Sequence, residues 1–208
     1  RAGGFRLSNR GAIAPGRDAD LAVVSDLKDF QVTRVFTAGR EVARDGKMLL
    51  GLRGFVADKV LRTVRLPKVD EKTFKLPLRT ETVRAIGLMP NSVLTKNLTL
   101  NVVRDSNGDF DPQLNPGLNK LAVIERHKAS GKIGLGILAG YGVKNGAIAV
   151  TVAHDSPNLV VAGDNDADML AVVREVEKIG GGFSMCSGGK VLANLPLPVA
   201  GRMSHRPD

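Results

Sequence analysis

The chain has 208 residues, with 30 Lys and Arg against 21 Asp and Glu for a net charge of +9, and 43% of its residues are hydrophobic. That size and composition suit one or two folded domains with a core and exclude intrinsic disorder. No stretch approaches the ~18 consecutive apolar residues of a membrane helix, and the lone Cys186 rules out an internal disulfide or a zinc site of several thiolates.

Residues 11 to 48 alternate short β-like runs with turns. Gly11-Ala12-Ile13-Ala14 and Pro15-Gly16 lead into the apolar run Leu21-Ala22-Val23-Val24, and Val32 to Ala38 alternates before Gly39 and the Asp45-Gly46 turn. A small antiparallel β unit is expected over 1–66. Residues 67–79 carry Pro67 and Pro77 among charges and lack periodicity, which predicts a linker. Beyond it, strands are expected at Val83 to Leu88, Leu98 to Val103 and Leu121 to Ile124, with a turn at Asp105 to Asp109.

The runs from Ala147 to Ala153 and from Leu159 to Ala162 are apolar on both faces, as in strands covered on both sides. A helix is predicted from Asp166 to Ile179. Asn165 is its N-cap, Gly180 its stop, and Met169, Val172, Val173, Val176 and Ile179 its apolar stripe. Phe183 to Cys186 and Lys190 to Ala193, joined by Ser187-Gly188-Gly189, make a hairpin. The fold class is therefore mixed, α+β, with an α/β C-terminal domain over 80–208.

Charge is uneven: residues 1–104 hold 20 basic and 10 acidic side chains, and residues 105–208 hold 10 and 11. A basic half can meet phosphates, but seven Phe, one Tyr and no Trp, none interleaved with the basic residues, provide no base-stacking platform. Nucleic acid is therefore not the expected partner. Gly134-Leu135-Gly136-Ile137-Leu138-Ala139 fits the form G-x-G-x-x-A, yet the expected strand ends near Glu125, too early for a dinucleotide turn, so a Gly-rich turn is expected. Gly188-Gly189-Lys190 lacks the first glycine and the hydroxyl residue of a phosphate loop. His154-Asp155-Ser156 is contiguous, so it cannot align as a hydrolytic triad. His127, His154 and His205 lie at no metal-ligand spacing, and no metal is expected in this chain. Cys186 reads as a small buried hydrophobe.

Two groups of segments carry a resemblance. Gly11 to Val24 looks like the β segment that follows the metal-bearing barrel of the amidohydrolase superfamily. Val123-Ile124-Glu125-Arg126-His127-Lys128 through Gly134, Gly146 through Ala153-His154-Asp155-Ser156-Pro157-Asn158, Asn165 to Met169, and Leu195 to Gly201 resemble, in order and spacing, the C-terminal part of bacterial adenine deaminase. Lys128 and Pro157 stand where that family usually has His.

The resemblance implies a complete cytoplasmic enzyme that converts adenine and water to hypoxanthine and ammonia. Its binuclear metal site, manganese or iron, would lie in a (β/α)8 barrel preceding Arg1. There a metal-activated hydroxide would attack the ring carbon that bears the amino group, while a carboxylate shuttles the proton. It further implies a homo-oligomer without a membrane, and a chain inactive by itself, with Arg126, His127, His154, Asp155 and Ser156 as substrate-proximal candidates. Residues 11–50 would then expose an apolar face made for the barrel. Two other readings stay open: part of another amidohydrolase, such as a cyclic-amide hydrolase, or a non-enzymatic binding or assembly module.

Overall fold

The computed structural model describes residues 7–51, 58–153 and 156–204. Two compact units divide the chain, Arg1–Phe55 and Val56–Asp208.

The first unit is an antiparallel meander of β1 (Leu21–Val24), β2 (Val32–Thr37), β3 (Arg40–Arg44) and β4 (Lys47–Met48). Asp45 and Gly46 both hold positive φ, +47° and +74°, as the mirror-image hairpin turn between β3 and β4 requires. Glu41 accepts from both Arg34 and Arg44, and the Arg34 guanidinium lies 4.9 Å from the Phe36 ring centre. None of the described residues from 7 to 51 is fully buried, while Ile13, Leu27 and Met48 are exposed. The described residues of this unit make surface clasps but no buried core.

The second unit is built on β5 (Thr82–Leu88), β6 (Thr95–Asn101), β7 (Leu118–Ile124), β8 (Ile133–Ala139), β9 (Ala147–Val150), β10 (Leu159–Gly163), β11 (Gly182–Ser187) and β12 (Lys190–Pro196). They form one sheet in the order β12-β11-β9-β10-β7-β8-β5-β6, antiparallel throughout except for the β5–β8 pair. The α-helix α1 (Asp166–Lys178) carries the chain from β10 past β9 to β11. Asn165 caps it by accepting the Asp168 N–H at 2.8 Å, and Gly180 leaves it at φ +78°.

The helix stripe of Met169, Val172, Val173 and Val176 is fully buried on Ala147, Ala149, Leu159 and Val161, each such side chain worth about 1.5–3 kcal/mol of burial. Cys186 belongs to this core, and burial pushes its thiol up. Asp168 accepts the N–H groups of Gly188 and Gly189, so the β11–β12 hairpin is pinned to the helix. A second, smaller core gathers Ala85, Val102, Phe110 and Ile137.

Three expectations need correction. Residues 67–79 are no free linker: Asp70 and Thr73 cap a 3-10 turn over Glu71–Phe74, and Phe74 is fully buried in the helix-side core. Leu76 and Leu78 pack on the second core, so the apolar residues set between the charges point inward. Gly134 to Ala139 is not a turn but most of β8, paired along β7, because Ile133, Leu135 and Ile137 alternate with Gly134, Gly136 and Leu138 across the pleat. Finally, β9 and β10 are covered by α1 on one face only. The other face, with Ile148, Val150 and Val160, is open within this unit.

Candidate functional site

Both β7 and β9 pair antiparallel with β10, so they run parallel to each other and end on the same side of the sheet. Two of the segments that carry the resemblance, apart in sequence, thereby leave the sheet as neighbouring loops, 125–132 after β7 and 151–158 after β9.

Arg126 lies at the centre of this end with only 1% exposure. Its Nη2 donates to the carbonyl oxygens of Ala200 at 3.2 Å and Thr151 at 3.5 Å, and its own carbonyl accepts the Arg65 N–H at 2.8 Å. Desolvation, with Arg202 nearby, pulls its pKa below the ordinary value. Thr151, fully buried, joins the same knot: its hydroxyl donates to the Gly201 carbonyl and accepts the Gly182 N–H at 2.7 Å. Gly201 holds φ +67°, and a Cβ there would lie 2.8 Å from Arg126 Nη1, so the turn can approach the guanidinium only as glycine.

Glu125 shapes the first loop. Its carboxylate accepts the N–H groups of Ser130, His127 and Lys128 and the Ser130 hydroxyl. These bonds, that of Ser130 first, outweigh the opposing effect of burial and hold its pKa at about 2. His127 is left exposed on the rim. In the second loop Ser156 is exposed and its Oγ accepts from Asn158 Nδ2 at 2.8 Å, while His154 and Asp155 lie outside the described residues.

The five candidates thus separate. Arg126 points inward and ties three chain segments together, whereas His127 and Ser156 stand on adjacent outer loops where they can donate to or accept from a ligand. Sequence reading missed Thr151, Ala200 and Gly201. The one available signal was Thr151, a hydroxyl inside the apolar run from Ala147 to Ala153.

A family model described as "Adenine deaminase C-terminal domain" matches residues 92–207, more than half of the chain. The chain belongs to the adenine deaminase C-terminal domain family. The match takes in β7 through β12, the helix and both loops just described. Adenine deaminases are similar beyond it: that of Nitratidesulfovibrio vulgaris (strain DP4) is 56% identical over 203 residues, 98% of this chain and 35% of the relative. That of Clostridium acetobutylicum is 46% identical over 204 residues, 97% and 35%, and that of Dehalococcoides mccartyi 38% over 203 residues, 98% and 35%. The chain spans about a third of the length of these curated relatives.

Among the described residues no three His, Cys, Asp or Glu come together as ligands. Nor, among them, is any helix long and apolar enough to cross a membrane.

Proposed function

We propose that this chain is the C-terminal part of a cytoplasmic, metal-dependent adenine deaminase that converts adenine and water to hypoxanthine and ammonia, and that it is inactive without the region preceding it. The observation that carries this reading is the convergence of the family's stretches at one end of the sheet: Arg126 ties the ends of β7 and β9 to the 200–201 turn, and His127 and Ser156 follow those strand ends on exposed loops. A fixed base with polar side chains on its rim can orient a purine or close a site against water.

The first unit, with none of its described residues fully buried and with exposed Ile13 and Leu27, is the partner face for a (β/α)8 barrel that would hold the manganese or iron pair. The gene upstream of Arg1 tests this. A reading frame encoding a barrel with H-x-H on its first strand is expected, and a gene product without one would leave the non-enzymatic reading in its place.

A further inference from the structure

We propose, on the reading of the loop after β7 as substrate-facing, that Glu125 is a positioning residue whose carboxylate fixes the backbone from which His127 meets the substrate. No residue from 127 to 132 is buried, so this loop has no apolar anchor to give it a shape. Its anchor is polar. The Glu125 N–H donates to the Lys132 carbonyl at 3.0 Å and closes the loop at its base. Inside the loop, one carboxylate oxygen of the same residue accepts the N–H groups of His127 and Lys128, and the other accepts the Ser130 N–H at 3.0 Å and the Ser130 hydroxyl at 2.9 Å.

These bonds act on the two peptides that flank the His127 Cα. The peptide before it is held from both sides, since its carbonyl, that of Arg126, accepts the Arg65 N–H at 2.8 Å while its N–H donates to Glu125. The peptide after it donates its N–H, that of Lys128, to Glu125 at 2.9 Å. His127 is therefore fixed in backbone and left exposed in side chain, an arrangement suited to orienting a ligand rather than to packing. Further along, Ala129 holds φ +50°, a left-handed conformation that a residue with a Cβ rarely keeps unless its neighbours impose it. Here they do, because Lys128 and Ser130 on either side are bound to the two oxygens of one carboxylate. Only a group that accepts on both oxygens serves all of these donors. The amide of Gln has the same shape but turns an NH2 toward N–H groups on one side.

Glu125→Gln, His127→Ala and the double variant, made in the complete gene product and assayed with adenine, test this role. Glu125→Gln should lower kcat/KM roughly 10-fold at a near-normal Tm, and adding it to His127→Ala should change the loss by less than ~2-fold, because it acts through that histidine. Losses that multiply in the double variant, or full activity of Glu125→Gln beside an impaired His127→Ala, overturn the proposal and leave the adenine deaminase reading standing. His127→Ala without effect overturns the substrate-facing reading of the loop and the proposal together. A complete product that leaves adenine unchanged does the same before any substitution is made. Amide hydrogen exchange reads the positioning itself: the Lys128 and Ser130 amides should exchange at least several-fold faster in Glu125→Gln, while those of β7 keep their rates. Unchanged exchange at 128 and 130 overturns the proposal, and so does faster exchange throughout β7, which would make Glu125 a residue of the fold alone.

Discussion

Arg126 is the residue whose substitution best separates a structural tie from a substrate contact. Replacing it with Ala removes a charge-assisted hydrogen bond to the Ala200 carbonyl at 3.2 Å, worth about 1.5–3 kcal/mol. The Thr151 contact, at 3.5 Å, is at the limit of a hydrogen bond and adds little. Ala also leaves a cavity where a side chain 1% exposed had been, whereas deleting a buried charge restores part of its desolvation cost. The net expectation is a loss of about 2–4 kcal/mol for Arg126→Ala and about 1–2 for Arg126→Met, which keeps the volume. At ~3 °C per kcal/mol for a chain of this size, Ala should lower Tm by roughly 6–12 °C. Urea denaturation of the chain gives the first number, and kcat/KM per folded molecule of the complete enzyme gives the second quantity needed. Arg126→Met should change kcat/KM less than ~10-fold. A fall of more than ~100-fold at an unchanged denaturation midpoint would refute the inward tie and return Arg126 to the substrate.

Other outcomes follow from the same geometry. Asp168 is held below its ordinary pKa of 3.8, because the Asn165 side chain and the Gly189 and Gly188 N–H groups outweigh the desolvation that acts the other way. Its contribution is therefore complete above pH 3.8 and lost as pH falls below that value, so Asp168→Asn should be less stable at pH 7 and flatten the acid limb of a Tm-against-pH curve. An unchanged acid limb would mean that the hairpin pin is unimportant. In the complete enzyme, His127→Ala or His154→Ala should lower kcat/KM by about one to three powers of ten with bound metal and Tm near normal, and Pro157→His should raise activity; lost stability with unchanged turnover would make these histidines structural. Elemental analysis of the dialysed chain should find no stoichiometric Fe, Mn or Zn, and one tightly held ion per chain would contradict that. A labelled DNA duplex should bind weakly and be released as salt approaches physiological strength, whereas sub-micromolar binding there would revive a nucleic-acid role.

The elements with a strong local signal were legible in the sequence. Asn165, the Met169-to-Val176 stripe and Gly180 announce α1, which ends one residue before the predicted Ile179, and the glycines between Cys186 and Lys190 announce the hairpin. Elements defined by distant partners were not legible. β8 has glycines where a strand usually carries side chains, and only its pairing with β7 and β5 makes it one. The strap at 67–79 looks like a linker until Phe74 is seen in a core made by residues about a hundred positions later. The site was half legible: the stretches around Arg126 and His154 could be singled out from resemblance, but a sequence does not show that a guanidinium between Glu125 and His127 turns inward while its neighbours stay on the rim. That division depends on Ala200 and Thr151, which the fold brings to it from 74 and 25 positions away.

Adenine deamination itself is the most direct test, read as ammonia released per polypeptide with adenine as the only substrate. Steady turnover is expected from the complete gene product, none from residues 1–208 alone, and recovery when the chain is co-expressed with the region preceding Arg1. A complete, folded, metal-loaded product that leaves adenine unchanged would contradict the account, as would turnover by the 208-residue chain alone.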